Sequence, residues 1–391
     1  MKIKVADRIS EVQEYYFSRK LREIAQRRNE GEDIINLGIG SPDMAPAPEV
    51  IEELRRAAAD PTHHGYQSYR GIPELRSAFA DFYQRHFQIG VDPETEVLPL
   101  IGSKEGIMHI SMAYLGAGDH VLVPNPGYPS YRAAARLAGA NVIDYKLNSD
   151  WLPDFEKLES EDLDKVKIMW VNYPHMPTGK NAPAGFFEQL VAFATRNNIL
   201  LCHDNPYAFI LNSNPSSLLS VPGSKETAIE LMSLSKAFNM AGWRVGALVG
   251  NQDRINEVLR FKSNMDSGMF KPVQLAAVAA LRSPLAWFDS LNDEYRARRV
   301  LAEDILKQLG CELDGEQVGM FVWAKVGPVF SDGENLSDLV LDQSGVFIVP
   351  GMIFGSRGND YVRISLCSPQ PLLTESLRRI KHFMTATIAQ S

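Results

Sequence analysis

The chain has 391 residues, 45% of them apolar and 23% charged, with a net charge of −8. That composition builds an ample buried core, and the absence of any strongly basic stretch speaks against a nucleic-acid surface. No run of about 18 apolar residues marks a membrane span, and the N-terminal MKIKVADRISEVQEYYFSRK lacks the apolar centre of a signal peptide. Cys202, Cys311 and Cys367 are far apart and form no C-x-x-C, which fits a reducing cytoplasm and argues against a disulfide frame or a cysteine zinc site.

Residues 10–29 read as a polar helix with an apolar stripe, and the Gly/Pro-rich GIGSPDMAPAP (38–48) as a loop. From about 50 to 285, short apolar strands alternate with helical patterns. The strands are expected at Val97–Ile101, His120–Pro124, Val142–Leu147, Lys167–Tyr173, Ile199–Asp204, Glu230–Leu234 and Val245–Gly250. Helices are expected at Lys104–Leu115, Tyr131–Ala138, Phe186–Asn197, Asp253–Ser263 and Val273–Arg282. The strands are continuous apolar runs, as required when both faces of a mostly parallel sheet are covered. After about 290 a charged helix (Leu291–Leu309) precedes strands near Met320–Val326, Gly345–Pro350 and Tyr361–Leu366. A last helix, Leu373–Ala389, follows. The pattern predicts an α/β fold: a large domain over 46–288 with a seven-stranded sheet between helices, and a smaller α+β domain from 1–45 and 289–391.

The most informative stretch is SLSKAFNMAGWR, Ser233 to Arg244. Lys236 follows an apolar run, and a partly desolvated lysine has a lowered pKa and condenses with carbonyls. Ser233, Ser235 and Arg244 beside it suit a phosphate. Imine chemistry next to a phosphate seat points to pyridoxal phosphate. Ligands of open α/β sheets gather at strand ends. Asp204 ends ILLCHD, where it can pair with a pyridinium nitrogen, and Tyr207 is three residues on; alone, Asp204 before Asn-Pro reads as a turn residue. Gly102-Ser103-Lys104-Glu105-Gly106 opens a helix whose amides can hold phosphate, or is an ordinary helix start capped by Ser103. Tyr128, in NPGYP, either covers a flat ring or sits in a rigid turn. Arg363 is charged within an apolar strand and needs an internal or a substrate carboxylate. His203 reads as packing, His63-His64 as unable to share a metal, and Met265, Met269 and Met320 as core or pocket filler.

In order and spacing, INLGIGSPD, YQSYRGIPELR, GSKEG, NPGYP, NYPHMPTG, HDNPY, SLSKAFNMAGWRVG and YVRIS resemble the class I/II aminotransferases, fold-type-I pyridoxal-phosphate enzymes, from about residue 30 to the C-terminus. The wording around Ser263–Phe270 is similar to the LL-diaminopimelate and alanine-like branch. The resemblance implies Lys236 as Schiff-base lysine and proton shuttle, Asp204 at the ring nitrogen and Tyr207 at O3′. It implies Ser103, Lys104, Ser233, Ser235 and Arg244 around the phosphate, and Tyr128 on the ring. Arg363 with Gly40 is implied at the substrate carboxylate, and Asn172 near the substrate. Tyr66 is implied to reach the phosphate of a neighbouring subunit, hence a homodimer with shared sites. The implied reaction moves an amino group from an L-amino acid to a 2-oxo acid, with 2-oxoglutarate as the expected acceptor, by ping-pong kinetics. One position departs from the family: Met176 stands where an asparagine usually donates to O3′, with Asn172 or His175 as substitute donors. β-Elimination from a cysteine-type substrate would use the same residues. A non-catalytic cofactor-sensing regulator would need a DNA-reading domain, and the stretch before residue 30 is too short for one.

Overall fold

The computed structural model describes residues 3–388 apart from 11, 13 and 15, with the backbone alone at 386–388. The chain opens with α1 (Asp7–Ser10), α2 (Tyr16–Asn29) and β1 (Ile35–Asn36). The helix expected over 10–29 therefore starts at Tyr16; residues 11, 13 and 15 of that expectation lie outside the described residues. Two helices not foreseen from the sequence follow, α3 (Pro48–Ala58) and α4 (Pro73–Phe87). Each has proline at its first position, where the missing N–H costs nothing and the fixed φ suits a helix.

Seven strands form one sheet: β2 (Val97–Leu100), β3 (His120–Asn125), β4 (Asn141–Lys146), β5 (Val166–Val171), β6 (Leu200–Asp204), β7 (Ala228–Ser233) and β8 (Gly246–Val249). Between them lie α5 (Ser103–Tyr114), α6 (Pro129–Leu137), α7 (Phe155–Glu159) and α8 (Phe186–Asn197), and after them α9 (Gln252–Lys262) and α10 (Lys271–Leu281). The order is β2-β8-β7-β6-β5-β3-β4, and β8 runs antiparallel to both neighbours while the other pairs are parallel. Alternate residues of each strand enter opposite layers. Val121, Val123, Ile168, Trp170 and Cys202 join one core with Ile107 and Ile110 of α5. Leu122, Met169, Val171 and Leu201 join the other with Phe79 and Phe82 of α4 and Phe193 of α8.

This topology gathers the chemistry at one sheet edge. Asp204 stands opposite Leu231, and Ser233 opposite Gly246, which stands opposite Leu100. The ends of β6, β7 and β2 therefore meet the start of the reversed strand β8, and Arg244 enters from there.

The remainder comprises α11 (Leu285–Gln308), β9 (Glu312–Leu313), β10 (Phe321–Lys325), α12 (Gly333–Ser344), β11 (Val346–Phe347), β12 (Val349–Pro350), β13 (Tyr361–Ser365) and α13 (Gln370–Ile388). An antiparallel sheet runs β12-β13-β10-β9, and β1 pairs in parallel with β11. The single strand expected over 345–350 is two, because Ile348 between them turns its carbonyl to the Ser337 hydroxyl (2.6 Å). The helix expected from Leu291 begins at Leu285, directly after Pro284, so the boundary expected at 288–289 falls inside one helix. The last helix runs from Gln370 to Ile388, and residue 389 of that expectation lies outside the described residues. Among the described residues no helix is long and apolar enough to cross a membrane.

Candidate active site

A cavity of about 490 Å³ opens at the sheet edge, and Gly40, Ser103, Lys104, Tyr128, Asn172, Asp204, Tyr207, Ser233, Ser235, Lys236, Arg244 and Arg363 all line it. Of the site residues expected from the sequence, Tyr66 alone lies elsewhere, 93% exposed on the surface.

Lys236 sits in the turn after β7, a strand buried along its whole length. Its Nζ donates to the Gly40 carbonyl at 2.5 Å. Burial lowers its pKa, and the neighbouring Arg363 and Arg244 push the same way against Cys367 and Asp204. The neutral amine, a nucleophile and base, is thereby favoured.

Asp204 is 4% exposed. Its Oδ2 accepts from the Tyr131 hydroxyl at 2.8 Å, and among the described residues its Oδ1 has no hydrogen-bond partner. Burial raises its pKa to about 6, partly offset by the Tyr131 bond and by the charges of His203 and Lys236. Tyr131 is fully buried and stacked on Trp170, 4.8 Å away with the rings 3° from parallel. Burial and the adjacent Asp204 charge hold its phenol well above the usual range, so it stays a donor.

The other end of the cavity suits an anion. α5 starts there, with Gly102 at its cap position and no side-chain cap, so Ser103 is the first helical residue and not the cap of an ordinary helix start. Gly102 has φ +84°, and an added Cβ would overlap the Arg244 guanidinium. Arg244 donates to the Ala241 carbonyl (2.8 Å) and to Ser235 Oγ (3.3 Å). Burial lowers the Lys104 pKa, with Arg244 adding to the effect.

Arg363, 3% exposed in β13, donates to the Gly38 carbonyl (2.9 Å), and its Nη1 lies 3.5 Å from Met176 Sδ. Its guanidinium is 3.9 Å from the centroid of Phe321, 4.7 Å from Phe354 and 5.7 Å from Phe17. Met176 therefore faces both the cavity and the arginine. Of the two substitute donors, Asn172 lines the cavity, while its Nδ2 also donates to the Asp204 carbonyl (2.5 Å) and its Oδ1 accepts from Met176 N (2.8 Å). His175 bonds Thr178 and does not line the cavity.

Further residues that line the site unforeseen include Tyr131, Phe17, Phe321 and Phe354. The signal for Tyr131 is its place one helical turn after Tyr128. His203 lies outside the cavity; its Nδ1 meets Glu230 Oε2 at 2.7 Å, within a carboxylate site completed by Tyr83 and Ser217. Met320 is core, whereas Met265 is 52% exposed and fills neither core nor pocket, because it stands in the turn after α9.

Pyridoxal phosphate fits this donor set. The orphaned Asp204 Oδ1 suits a protonated ring nitrogen, the glycine cradle against Arg244 suits a phosphate, and Lys236 suits the carbonyl.

The family described as aminotransferase class I and II matches residues 32–380. The LL-diaminopimelate aminotransferase of Dehalococcoides mccartyi is 39% identical over 382 residues, 97% of this chain and 98% of the relative. That of Desulforudis audaxviator is 41% identical over 380 residues, 96% and 97%. Among solved structures, substrate-bound BacF from Bacillus subtilis superposes with a TM-score of 0.93 at 37% identity over 98% of both chains. A Thermus thermophilus aspartate aminotransferase mutant gives a TM-score of 0.90 at 26% identity over 98% of this chain and 100% of that one.

Proposed function

This chain belongs to the class I and II aminotransferases, pyridoxal-phosphate enzymes, and on that premise we propose that it moves an amino group from an L-amino acid to 2-oxoglutarate in two half-reactions at this cavity. The observation that carries the reading is a half-buried lysine and a buried carboxylate with one open oxygen lining one cavity with a buried arginine. The names of the relatives favour a donor of the LL-diaminopimelate-like branch.

When bound, pyridoxal phosphate supplies a carbonyl that takes up an amino group and a ring that draws electron density from the substrate Cα. The amides of Ser103 and Lys104, with Ser233, Ser235 and Arg244, hold the phosphate. Asp204, whose Oδ1 is open, would pair with the protonated ring nitrogen. Tyr207 bonds O3′ and Tyr128 covers the ring. Arg363 clamps the substrate carboxylate with the Gly40 backbone, with Asn172 beside it. Lys236 Nζ, once displaced from the cofactor carbonyl, would be the base that takes the substrate Cα proton and the acid that returns it. Tyr66, exposed and outside the cavity of its own chain, would serve the phosphate of a second copy in a homodimer. We assign 46–288 to the cofactor-binding domain and 1–45 with 289–391 to the smaller one, which the pairing of β1 with β11 supports. The free, buried cysteines accord with a cytoplasmic enzyme.

The test adds single L-amino acids to the loaded protein without acceptor. The visible absorbance should convert to that of the amine form with the true donor and return on adding 2-oxoglutarate. Pyruvate accumulating from a cysteine-type donor with the spectrum unchanged would overturn the reading.

A further inference from the structure

Directly behind the anion end of the cavity lies a buried group of charges with no role in the chemistry above. Glu105 and His109 are one turn apart on α5. His109 is fully buried, and among the described residues neither ring nitrogen has a hydrogen-bond partner; Nε2 stands 3.3 Å from Glu105 Oε1. Asp266, in the turn after α9, brings a carboxylate oxygen so close that the Glu105, His109 and Asp266 ligand atoms all lie within 4.8 Å of one another. Lys262, 2% exposed, places its ammonium 2.7 and 2.9 Å from the two Asp266 oxygens. Phe261 closes the group, 5.4 Å from the His109 ring.

Two links lead out of this cluster. Glu105 Oε2 accepts from the Ile101 amide at 2.6 Å, fixing the turn that presents Ser103 and Lys104 to the cavity. Asp266 Oδ1 accepts from the Gly268 amide at 3.3 Å. Gly268 has φ +80° and sits so tightly on the next loop that an added Cβ would come within 2.6 Å of the Gln67 carbonyl and 2.8 Å of that of Ser68. Tyr66 is the next residue along that loop. Three ligand-type side chains with an unpartnered imidazole also resemble a cation site, but the Lys262 ammonium already stands on Asp266 and would repel a divalent ion.

We propose that Glu105, His109, Asp266 and Lys262 are positioning residues: a buried charge cluster that sets the phosphate-binding turn and locks it to the loop carrying Tyr66. The cluster acts through the Ile101 amide and touches neither substrate nor cofactor. The inference rests on the reading of the Ser103–Lys104 end as the phosphate seat.

The test compares equilibrium binding of pyridoxal phosphate and of pyridoxal, which lacks the phosphate, to wild type, His109→Phe, His109→Gln and Asp266→Asn. Loss of a buried polar contact should weaken pyridoxal phosphate by about tenfold or more in His109→Phe and Asp266→Asn. His109→Gln should recover part of that loss, and pyridoxal binding should change less than twofold throughout. The double variant His109→Phe/Asp266→Asn should lose less than the product of the single losses, because the residues share one network. Equal weakening of both ligands would reduce the cluster to general packing and overturn the proposal. So would stoichiometric metal in the purified wild type that His109→Phe lacks. Should His109→Phe not fold, His109→Gln and Asp266→Asn carry the same comparison. If wild type binds neither compound, the proposed function fails instead.

Discussion

Replacing Tyr131 with phenylalanine isolates what holds Asp204 as an anion. The phenol donates 2.8 Å to Oδ2 of a carboxylate whose pKa burial has already pushed up to about 6. Phenylalanine keeps the stack on Trp170 and removes only that donor. A hydrogen bond to a buried charge contributes about 1.5–3 kcal/mol. Spread over the anion alone, that loss raises the Asp204 pKa further and weakens its hold on a protonated ring nitrogen. At about 1.4 kcal/mol per tenfold, the amino-acid half-reaction should slow by roughly 10- to 150-fold at pH 7. The acid limb of its pH profile should also move to higher pH, while the melting temperature changes little. Stopped-flow absorbance across pH 5.5–8.5 measures both effects. A half-reaction within twofold of wild type with an unmoved acid limb would refute the argument that Tyr131 sustains the Asp204 charge.

Gly102→Ala forces a Cβ onto the Arg244 guanidinium at φ +84°, so cofactor affinity should fall by tenfold or more in a fluorescence titration, in addition to the roughly 1 kcal/mol of folding stability that the backbone strain costs. Asp204→Asn should stabilise the cofactor-free protein while abolishing turnover. Because the folded-state pKa is raised from 3.8 to about 6, the folded chain binds this proton more tightly than the unfolded chain. That contribution is full below about pH 4 and lost as pH rises through about 6, a loss of about 3 kcal/mol. Calorimetry should show the variant melting a few degrees higher than wild type at pH 8 and level with it near pH 4; no gain at pH 8 would contradict the burial argument. Met176→Asn restores a donor beside Asn172 and Arg363, so the visible absorbance of the loaded protein should titrate at lower pH than in wild type, and equal midpoints would dismiss a role for the thioether.

The strands were legible because each is a continuous apolar run, and the site motifs because they follow those runs. Asp204, Ser233 and Ser103 then fall together through sheet order, which alternation implies but does not specify. The reversed strand β8, which brings Arg244 to the same edge, leaves no mark in its own apolar run. α3 and α4 were hidden by Pro48 and Pro73, which punctuate a sequence like loop residues yet here start helices, although Leu75, Phe79 and Phe82 carry the helical period. Tyr131 escaped because its partner is 73 positions away, joined only when α6, packed on β3 and β4, reaches the end of β6. The pairing of Ile35 with Val346 is likewise visible only in space. The two short strands near 348 read as one because both are apolar and the Ser337 contact that divides them comes from another element.

The central claim is that this cavity carries pyridoxal phosphate on Lys236. Borohydride reduction of the loaded protein, followed by digestion and mass spectrometry of the labelled peptide, tests it most directly. The account predicts one phosphopyridoxyl group per chain, on Lys236 within the segment Ser233–Arg244, and none after Lys236→Ala. A label on Lys104 or another lysine, or no label at all, would contradict it.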